Sequence, residues 1–323
     1  MVEVFNVLII GAGRIGAFFD TPGKDYILTH AHAFKKHPGF NLIGFIDTKI
    51  QRAEEASNIW NTRAFLTIDE AFSKHDIDVA VVAVSDEYHY PVLKELLNYP
   101  IKLVFSEKPI TKTVEQAVEI VDLFKKKGIP LVINYSRRFV PDFLSLKDKI
   151  SSDTFGGYLS GSGYYGKGTL HNGSHMIDLL MFLLGDIDKT HTVLNVSDHF
   201  KDDPTCSAIL TFKSDGKFFM QAIDCRNYTL FEIDLLFEKQ RVRILESGFK
   251  IEYYDVFNSE IFAGYQELKM IESRNTKLID AIPYASENIY NFLTKGVTCL
   301  SLGEEAILSQ KVCTSILKNK LEK

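Results

Sequence analysis

The stretch "NVLIIGAGRIG" (6–16) restricts this chain more than any other. So short and continuous an apolar run suits a strand buried on both faces, as in a parallel sheet covered by helices. The glycine pattern that follows has a specific use. Gly11 permits a tight turn, Gly13 lets the backbone approach a pyrophosphate, and Gly16 allows a helix to pack closely on the strand. Arg14 and Ile15 complete the loop, and the helix expected after it would turn free N–H groups toward phosphates. GxGxxG alone also fits a plain tight turn. Here it follows a strand and precedes a helical pattern, and an acid closes the next strand, so a dinucleotide site is expected.

That acid is Asp47, at the end of "NLIGFID" (41–47). It stands 31 residues after Gly16, against the usual spacing of about 20. The excess matches "DTPGKDYILTH" (20–30), whose Pro22–Gly23 pair breaks the helix begun at Gly16. This reads as an insertion beside the cofactor phosphates, ordered against cofactor or substrate, with His30 and His32 at its edge as candidate ligands. Asp47 would accept hydrogen bonds from the ribose hydroxyls and repel a 2′-phosphate, which favours NAD over NADP. Lys49 and Arg52 lie close enough to blur that preference, and Asp47 as a cap for the helix near Ile50 is the plain alternative.

Further apolar runs at 78–85, 102–107 and 130–136 alternate with helical stretches. Thr67 with Glu70 and Thr113 with Gln116 fit capping boxes. The second of these helices ends in Lys125–Lys127 and Gly128, which suit its negative end. Strand–helix alternation predicts a doubly wound Rossmann domain over 1–128. From about residue 155 strand-like runs follow one another through short turns, "SDGK" (214–217) being the clearest, which implies mostly antiparallel pairing. Helices are expected near 174–184, 282–295 and 302–321, the last opened by Ser301 and Glu304 and able to pack back on the first domain. The expected architecture is α/β: a Rossmann domain, then an α/β domain over 129–323 with an open, mostly antiparallel sheet.

A formal charge of −5 gives no reason to expect nucleic acid or an anionic membrane as partner. No apolar run approaches the ~20 residues that span a bilayer, and no signal-peptide pattern opens the chain. The four cysteines show no metal-like spacing and read as buried thiols of a cytoplasmic protein, with a Cys206–Cys225 bridge left open.

The remaining signal is "HNGSHMID" (171–178): two histidines four apart and a carboxylate three residues on. Metal ligation, acid/base chemistry and a buried helix start all fit that spacing. Gly173 in the first turn argues against a rigid ligand pair, so no metal is expected. Asn172 and Ser174 suit caps better than chemistry, and Asp178 could order the His175 imidazole or serve the structure alone. "GAGRIG", Asp47, "SEKPI" (106–110), "NYSRRF" (134–139) and "GTLHNGSHMIDLLMFLLGD" (168–186) occur in the order of the glucose–fructose oxidoreductase/inositol dehydrogenase (Gfo/Idh/MocA) family, which the chain resembles through nearly its whole length.

The resemblance implies NAD(P)-linked oxidation or reduction of a sugar-like secondary alcohol and a homodimer or homotetramer formed through the C-terminal sheet. It implies Lys108 and His175 as catalytic, with Pro109 turning the chain at the nicotinamide. Val84, Ser85, His89, Glu107 and Lys108 would join the glycine loop in holding the cofactor. Tyr135, Arg138, Tyr164, His171 and Asn172 are the candidate substrate contacts, although core packing suits such tyrosines equally. The chemistry agrees: histidine can take a hydroxyl proton near neutral pH, and a lysine ammonium can stabilise alkoxide charge. One departure stands out. Where the family usually carries aspartate, this chain has His171, which supplies no negative charge. A non-catalytic dinucleotide-binding regulator is the rival reading.

Overall fold

A computed structural model describes residues 3–319, which divide into two compact units. The first contains the chain up to Val140 together with Ile279–Leu308. It begins with β1 (Phe5–Ile10), a π-helical turn at Arg14–Phe18, α1 (His30–Lys36), β2 (Phe40–Ile46), α2 (Ile50–Trp60) and β3 (Arg63–Phe65). Next come α3 (Ile68–Lys74), β4 (Val79–Val82), α4 (Asp86–Leu96), β5 (Leu103–Ser106), α5 (Val114–Lys127) and β6 (Leu131–Ile133). All six strands are parallel, in the order β3-β2-β1-β4-β5-β6, the doubly wound Rossmann arrangement.

Alternation along each strand builds two cores. Leu8, Ile10, Val82 and Val104 face one side, against Leu93 and Leu96 of α4 and Ile120 and Phe124 of α5. Val7, Ile9, Val81 and Phe105 face the other, against Phe34 of α1 and Ala53, Ala56 and Trp60 of α2. That second face is completed by Ala285 and Ile289 of α8 (Ala281–Lys295). The boundary expected at residue 128 therefore shifts. β6 pairs with β5, and the sheet's second apolar face needs a helix from far along the chain.

The second unit contains Pro141–Leu278 and the chain from Ser309 on. It holds α6 (Pro141–Ser151), β7 (Tyr158–Tyr165), a π-helical segment at Gly168–Gly173, α7 (Ser174–Leu184), β8 (Ile187–Val196) and β9 (Thr205–Phe212). The sheet continues with β10 (Lys217–Ala222), β11 (Phe231–Phe237), β12 (Gln240–Leu245), β13 (Lys250–Asn258) and β14 (Gln266–Asn275). Its order is β14-β13-β12-β11-β7-β10-β9-β8, antiparallel throughout except for β7 with β10. The turn at 214–217 closes the β9–β10 hairpin, with Phe212 N–H donating to Gly216 O at 2.9 Å.

The final helix, α9 (Gly303–Lys318), contributes Ala306 and Ile307 to the first core, and its residues from Ser309 on belong to the second unit. The expected Ser301 cap is not made. Ser301 Oγ is buried without a hydrogen-bond partner, and the helix instead opens from the Leu302 carbonyl. Residues 320 and 321 of the helix anticipated over 302–321 lie outside the described residues. Both capping threonines act as expected: Thr67 and Thr113 accept from the N–H groups of Glu70 and Gln116 at 3.0 and 3.3 Å. All four cysteines are buried thiols outside any disulfide, so Cys206 and Cys225 form no bridge.

Candidate functional site

The glycine loop of the first unit is shaped by its neighbours. At Gly11 φ is +106°, and a Cβ there would lie 2.4 Å from the Ala83 carbonyl oxygen. A Cβ on Gly16 would lie 2.2 Å from the Gly11 oxygen. Gly13 differs, since its Cβ would meet only Ala83 O, at 3.9 Å. Its side toward the cleft is open, the geometry that close approach of a pyrophosphate needs. The helix expected to begin at Gly16 and break at Pro22–Gly23 is instead a five-residue π-helical turn, Arg14–Phe18, containing Arg14, Ile15 and Gly16; it ends before Pro22, and regular helix resumes only at His30.

A cleft of about 310 Å³ opens beside this loop, lined by Gly11, Gly13, Asp47, Arg52, Val84 and Ser85 among others. Asp47 is fixed in it by two backbone donors: Ala12 N–H to Oδ2 at 3.0 Å and Lys49 N–H to Oδ1 at 2.9 Å. A carboxylate has about four acceptor positions, so two such bonds orient it and leave capacity for a ribose diol. The N-cap of α2 is Lys49, not Asp47, and the bond from Lys49 N–H lies ahead of the helix's first turn. Asp47 lines the cleft rather than capping α2. The residues fit a dinucleotide.

The 20–30 insertion is folded onto the same unit. Asp20, buried, accepts from Leu28 N–H (2.6 Å), Thr29 Oγ1 (2.5 Å) and the His32 ring (2.9 Å). Thr29 caps α1 through His32 N–H, and His32 packs against Trp60, whose Nε1–H donates to Ala17 O at 3.0 Å. His30 is fully buried, and its Nε2 meets Glu107 Oε1 at 2.8 Å, while Asn134 Nδ2 donates to the same oxygen at 2.7 Å. Burial acts to raise the Glu107 pKa. The hydrogen bond and charge of His30, the Asn134 amide and the Lys108 charge outweigh it and hold the carboxyl below its ordinary range. Both histidines thus bond to carboxylates of their own unit, and neither lines the described cleft.

Lys108 follows Glu107 at the end of β5, and its bond to Pro109 is cis. His89 is fully buried and ties two loops together: Nδ1 lies 2.7 Å from Pro109 O and Nε2 3.1 Å from Val84 O. The candidate substrate residues of this unit have inward positions. Tyr135 is 2% exposed in the apolar core, and Arg138, also buried, pairs with Glu305 at 2.6 Å.

In the second unit, His171 and His175 lie on one continuous helical path. Gly173 has helical backbone (φ −59°, ψ −32°), so it does not break the path. A Cβ there would lie 2.7 Å from the Tyr165 ring, which accounts for glycine. Asn172 caps nothing and instead donates from Nδ2 to Gly166 O at 2.9 Å. Asp178 accepts from Ser309 Oγ at 3.0 Å. Tyr164 is exposed, on the opposite sheet face from Gly163 and Tyr165, the residues that pack against Met176 and Gly173 of the helical path.

Asp203, which no sequence pattern singled out, supplies the negative charge that His171 lacks. This buried carboxylate accepts from Leu170 N–H (2.9 Å), His171 N–H (2.9 Å) and the His171 ring at Nδ1 (2.8 Å). Phe200 stacks on the same imidazole with ring centroids 3.9 Å apart and planes 9° from parallel. Thirty-two residues of sequence separate the partners, and no motif spacing links them. Among the described residues no cluster of three His, Cys, Asp or Glu side chains is arranged to hold a metal.

Residues 5–135, the segment that forms the cleft, match the family described as "Oxidoreductase family, NAD-binding Rossmann fold" (GFO_IDH_MocA). That segment is therefore similar to the NAD-binding part of the Gfo/Idh/MocA oxidoreductases. It is 28% identical over 158 residues to inositol 2-dehydrogenase of Corynebacterium glutamicum (strain R), a match covering 48% of this chain and 44% of that protein. The chain thus matches less than half the length of that relative. Two solved structures share the fold over nearly the whole chain. The Bordetella pertussis WlbA dehydrogenase, solved with NADH and UDP-GlcNAcA, aligns with a TM-score of 0.77 at 17% identity, covering 98% of this chain and 96% of that one. A super-repressor mutant of Gal80p from Saccharomyces cerevisiae aligns with a TM-score of 0.79 at 16% identity, with the same coverage.

Proposed function

We propose that this chain is a Gfo/Idh/MocA-type, NAD-dependent dehydrogenase or reductase acting on a secondary alcohol or ketone of a sugar, sugar acid, cyclitol or nucleotide-linked sugar. The observation that carries the reading is the glycine loop with its fixed carboxylate: Gly13 open toward the cleft and Asp47 held with acceptor capacity to spare. Inositol 2-dehydrogenase and the UDP-GlcNAcA complex of WlbA support a polyol or sugar substrate, and the NADH in the latter supports the cofactor. Bound nicotinamide would supply the hydride acceptor or donor. Lys108 would stabilise alkoxide charge on the reacting oxygen, and His175 would take up or return the hydroxyl proton. His30 and Asn134 hold Glu107, and His89 holds Pro109, which steadies the backbone on either side of Lys108.

Four buried thiols without a disulfide suit a reducing cytoplasm. Leu236 and Phe219, on the uncovered face of the second sheet, suit a homodimer or homotetramer contact. A second reading, a non-catalytic dinucleotide-binding regulator, draws support from the likeness to Gal80p.

The deciding experiment pairs NAD binding by fluorescence with single-turnover hydride transfer across a panel of sugars and polyols. Lys108→Met and His175→Ala should bind NAD within a few-fold of wild type but lose turnover by about 10²–10⁴. Undiminished transfer in both variants refutes the roles. A wild type that binds NAD and transfers no hydride to any substrate replaces the enzyme reading with the regulator.

A further inference from the structure

Apart from the cofactor cleft, the 20–30 insertion helps wall a second cavity of the first unit, about 460 Å³ in volume. Small-ligand sites usually span about 300–1,000 Å³. Lys24, Asp25, His32, Lys35, Lys36 and Trp60 line it, and none of them lines the cleft beside the glycine loop. Local sequence accounts for the rim. Thr21–Lys24 is a tight turn closed by Lys24 N–H donating to Thr21 O at 3.2 Å, with φ +90° at Gly23. Proline presets the second position of such a turn, and glycine accepts the positive φ of the third. The turn delivers Lys24 and Asp25 to the cavity, the last turn of α1 supplies Lys35 and Lys36, and Trp60 ends α2.

The charges are lopsided. All three lysines are exposed and form no ion pair among the described residues, and Lys35 Nζ reaches only Asn61 O, at 3.4 Å. One carboxylate of the lining, Asp25, stands against them. His32 is 5% exposed, and its Nδ1 lies 2.9 Å from the buried Asp20 Oδ2. A carboxylate in that position fixes the ring proton on Nδ1. Nε2 makes no hydrogen bond among the described residues, so it is the nitrogen left to a ligand. Trp60 packs on the same imidazole with ring centroids 5.3 Å apart, while its own N–H is committed to Ala17 O. A concave site lined mainly by cations attracts an anion of more than one charge.

We propose that this cavity binds a phosphate group, free or as the monoester of a small organic molecule, at a site separate from the dinucleotide cleft. The lysines supply charge-assisted hydrogen bonds to its oxygens. His32 supplies what a plain lysine cluster lacks. A phosphate monoester, with a second pKa of about 6, keeps a proton part of the time near neutral pH, and that O–H can donate to Nε2. Asp25 opposes the same ligand. The site depends on neither the dehydrogenase nor the regulator reading, because it shares no lining residue with the cleft.

The test titrates the full chain with inorganic phosphate and with glucose 6-phosphate, by calorimetry, with and without saturating NAD. Ionic strength is held constant with potassium chloride, and the fluorescence of Trp60, the lone tryptophan, is followed in parallel. Saturable one-to-one binding that changes the Trp60 signal is expected. Lys35→Gln and Lys36→Gln should each weaken it about 3–10-fold, and together by about tenfold or more. Asp25→Asn should tighten it about twofold or more. Lys126→Gln, the same change of charge on exposed α5, should leave it within about twofold, and NAD affinity should hold in every variant. Tighter binding of glucose 6-phosphate assigns the site to a monoester, and equal binding assigns it to the free ion. Absence of saturable binding by either probe overturns the proposal, as does binding that survives loss of both lysines. Binding that NAD abolishes belongs to the glycine loop and overturns it too. If the chain binds no NAD, the dehydrogenase reading fails, while phosphate binding that requires Lys35 and Lys36 still supports this site.

Discussion

Gly168→Ala probes the seat of the Asp203 carboxylate. The residue sits at φ +83°, where a Cβ would lie 2.2 Å from Asp203 Oδ2, 2.8 Å from its Cγ and 3.0 Å from its backbone oxygen. Alanine in this backbone region costs about 1–2 kcal/mol. The carboxylate must also withdraw, and each hydrogen bond it loses to Leu170, His171 or the imidazole is worth roughly 1.5–3 kcal/mol. Losing one of the three gives a total of about 2.5–5 kcal/mol, confined to the second unit. The lone tryptophan, Trp60, lies in the core of the first unit, so its fluorescence on denaturation serves as an internal control and should change little. Hydrogen exchange of peptides spanning 167–175 and 198–206 is the informative assay, and both should lose protection together. Unchanged exchange in both peptides, with stability within about 1 kcal/mol of wild type, would show that Gly168 does not form the seat described.

Two further predictions concern the first unit. With a carboxylate, Asp47, lining the cleft where the proposed ribose would sit, NAD(H) should bind at least about tenfold tighter than NADP(H), a difference of ~1.4 kcal/mol; equal affinities in calorimetry would transfer the role to Arg52, which lines the same cleft. His30→Ala should cost about 3–5 kcal/mol by leaving Glu107 buried with fewer partners. Because the Glu107 carboxyl is held below its ordinary value of 4.5, its contribution is present above that pH and lost as pH falls through the lowered value. The wild type should therefore lose more stability than His30→Ala between about pH 5 and pH 3, and parallel acid-denaturation curves would count against the pair.

The Rossmann half could be read from the sequence because its determinants are local. Continuous apolar runs, caps at Thr67 and Thr113, Gly128 as C-cap and the glycine loop each act within a few residues of themselves. Two strands escaped that reading for physical reasons. β3 is only three residues long, and β14, "QELKMIESRN", is an edge strand exposed on both faces that carries charge where an apolar alternation would have shown it. The parallel pairing of β7 with β10 was equally hidden, because short turns betray only neighbours in sequence.

What the sequence determined by itself is the fold class, the dinucleotide loop with Asp47 and the identity of the histidine pair. The partners of those groups were decided only by tertiary structure. The sequence showed His171 without a carboxylate, and folding brings Asp203 to it across 32 residues. It showed His30 at the edge of an insertion, and folding buries it against Glu107 across 77. It suggested Tyr135 and Arg138 as substrate contacts, and folding buries both. Spacing rules report which side chains share a helix face or a strand face. A buried charge is neutralised by whatever the rest of the chain brings within hydrogen-bonding distance, and no short pattern of residues records that.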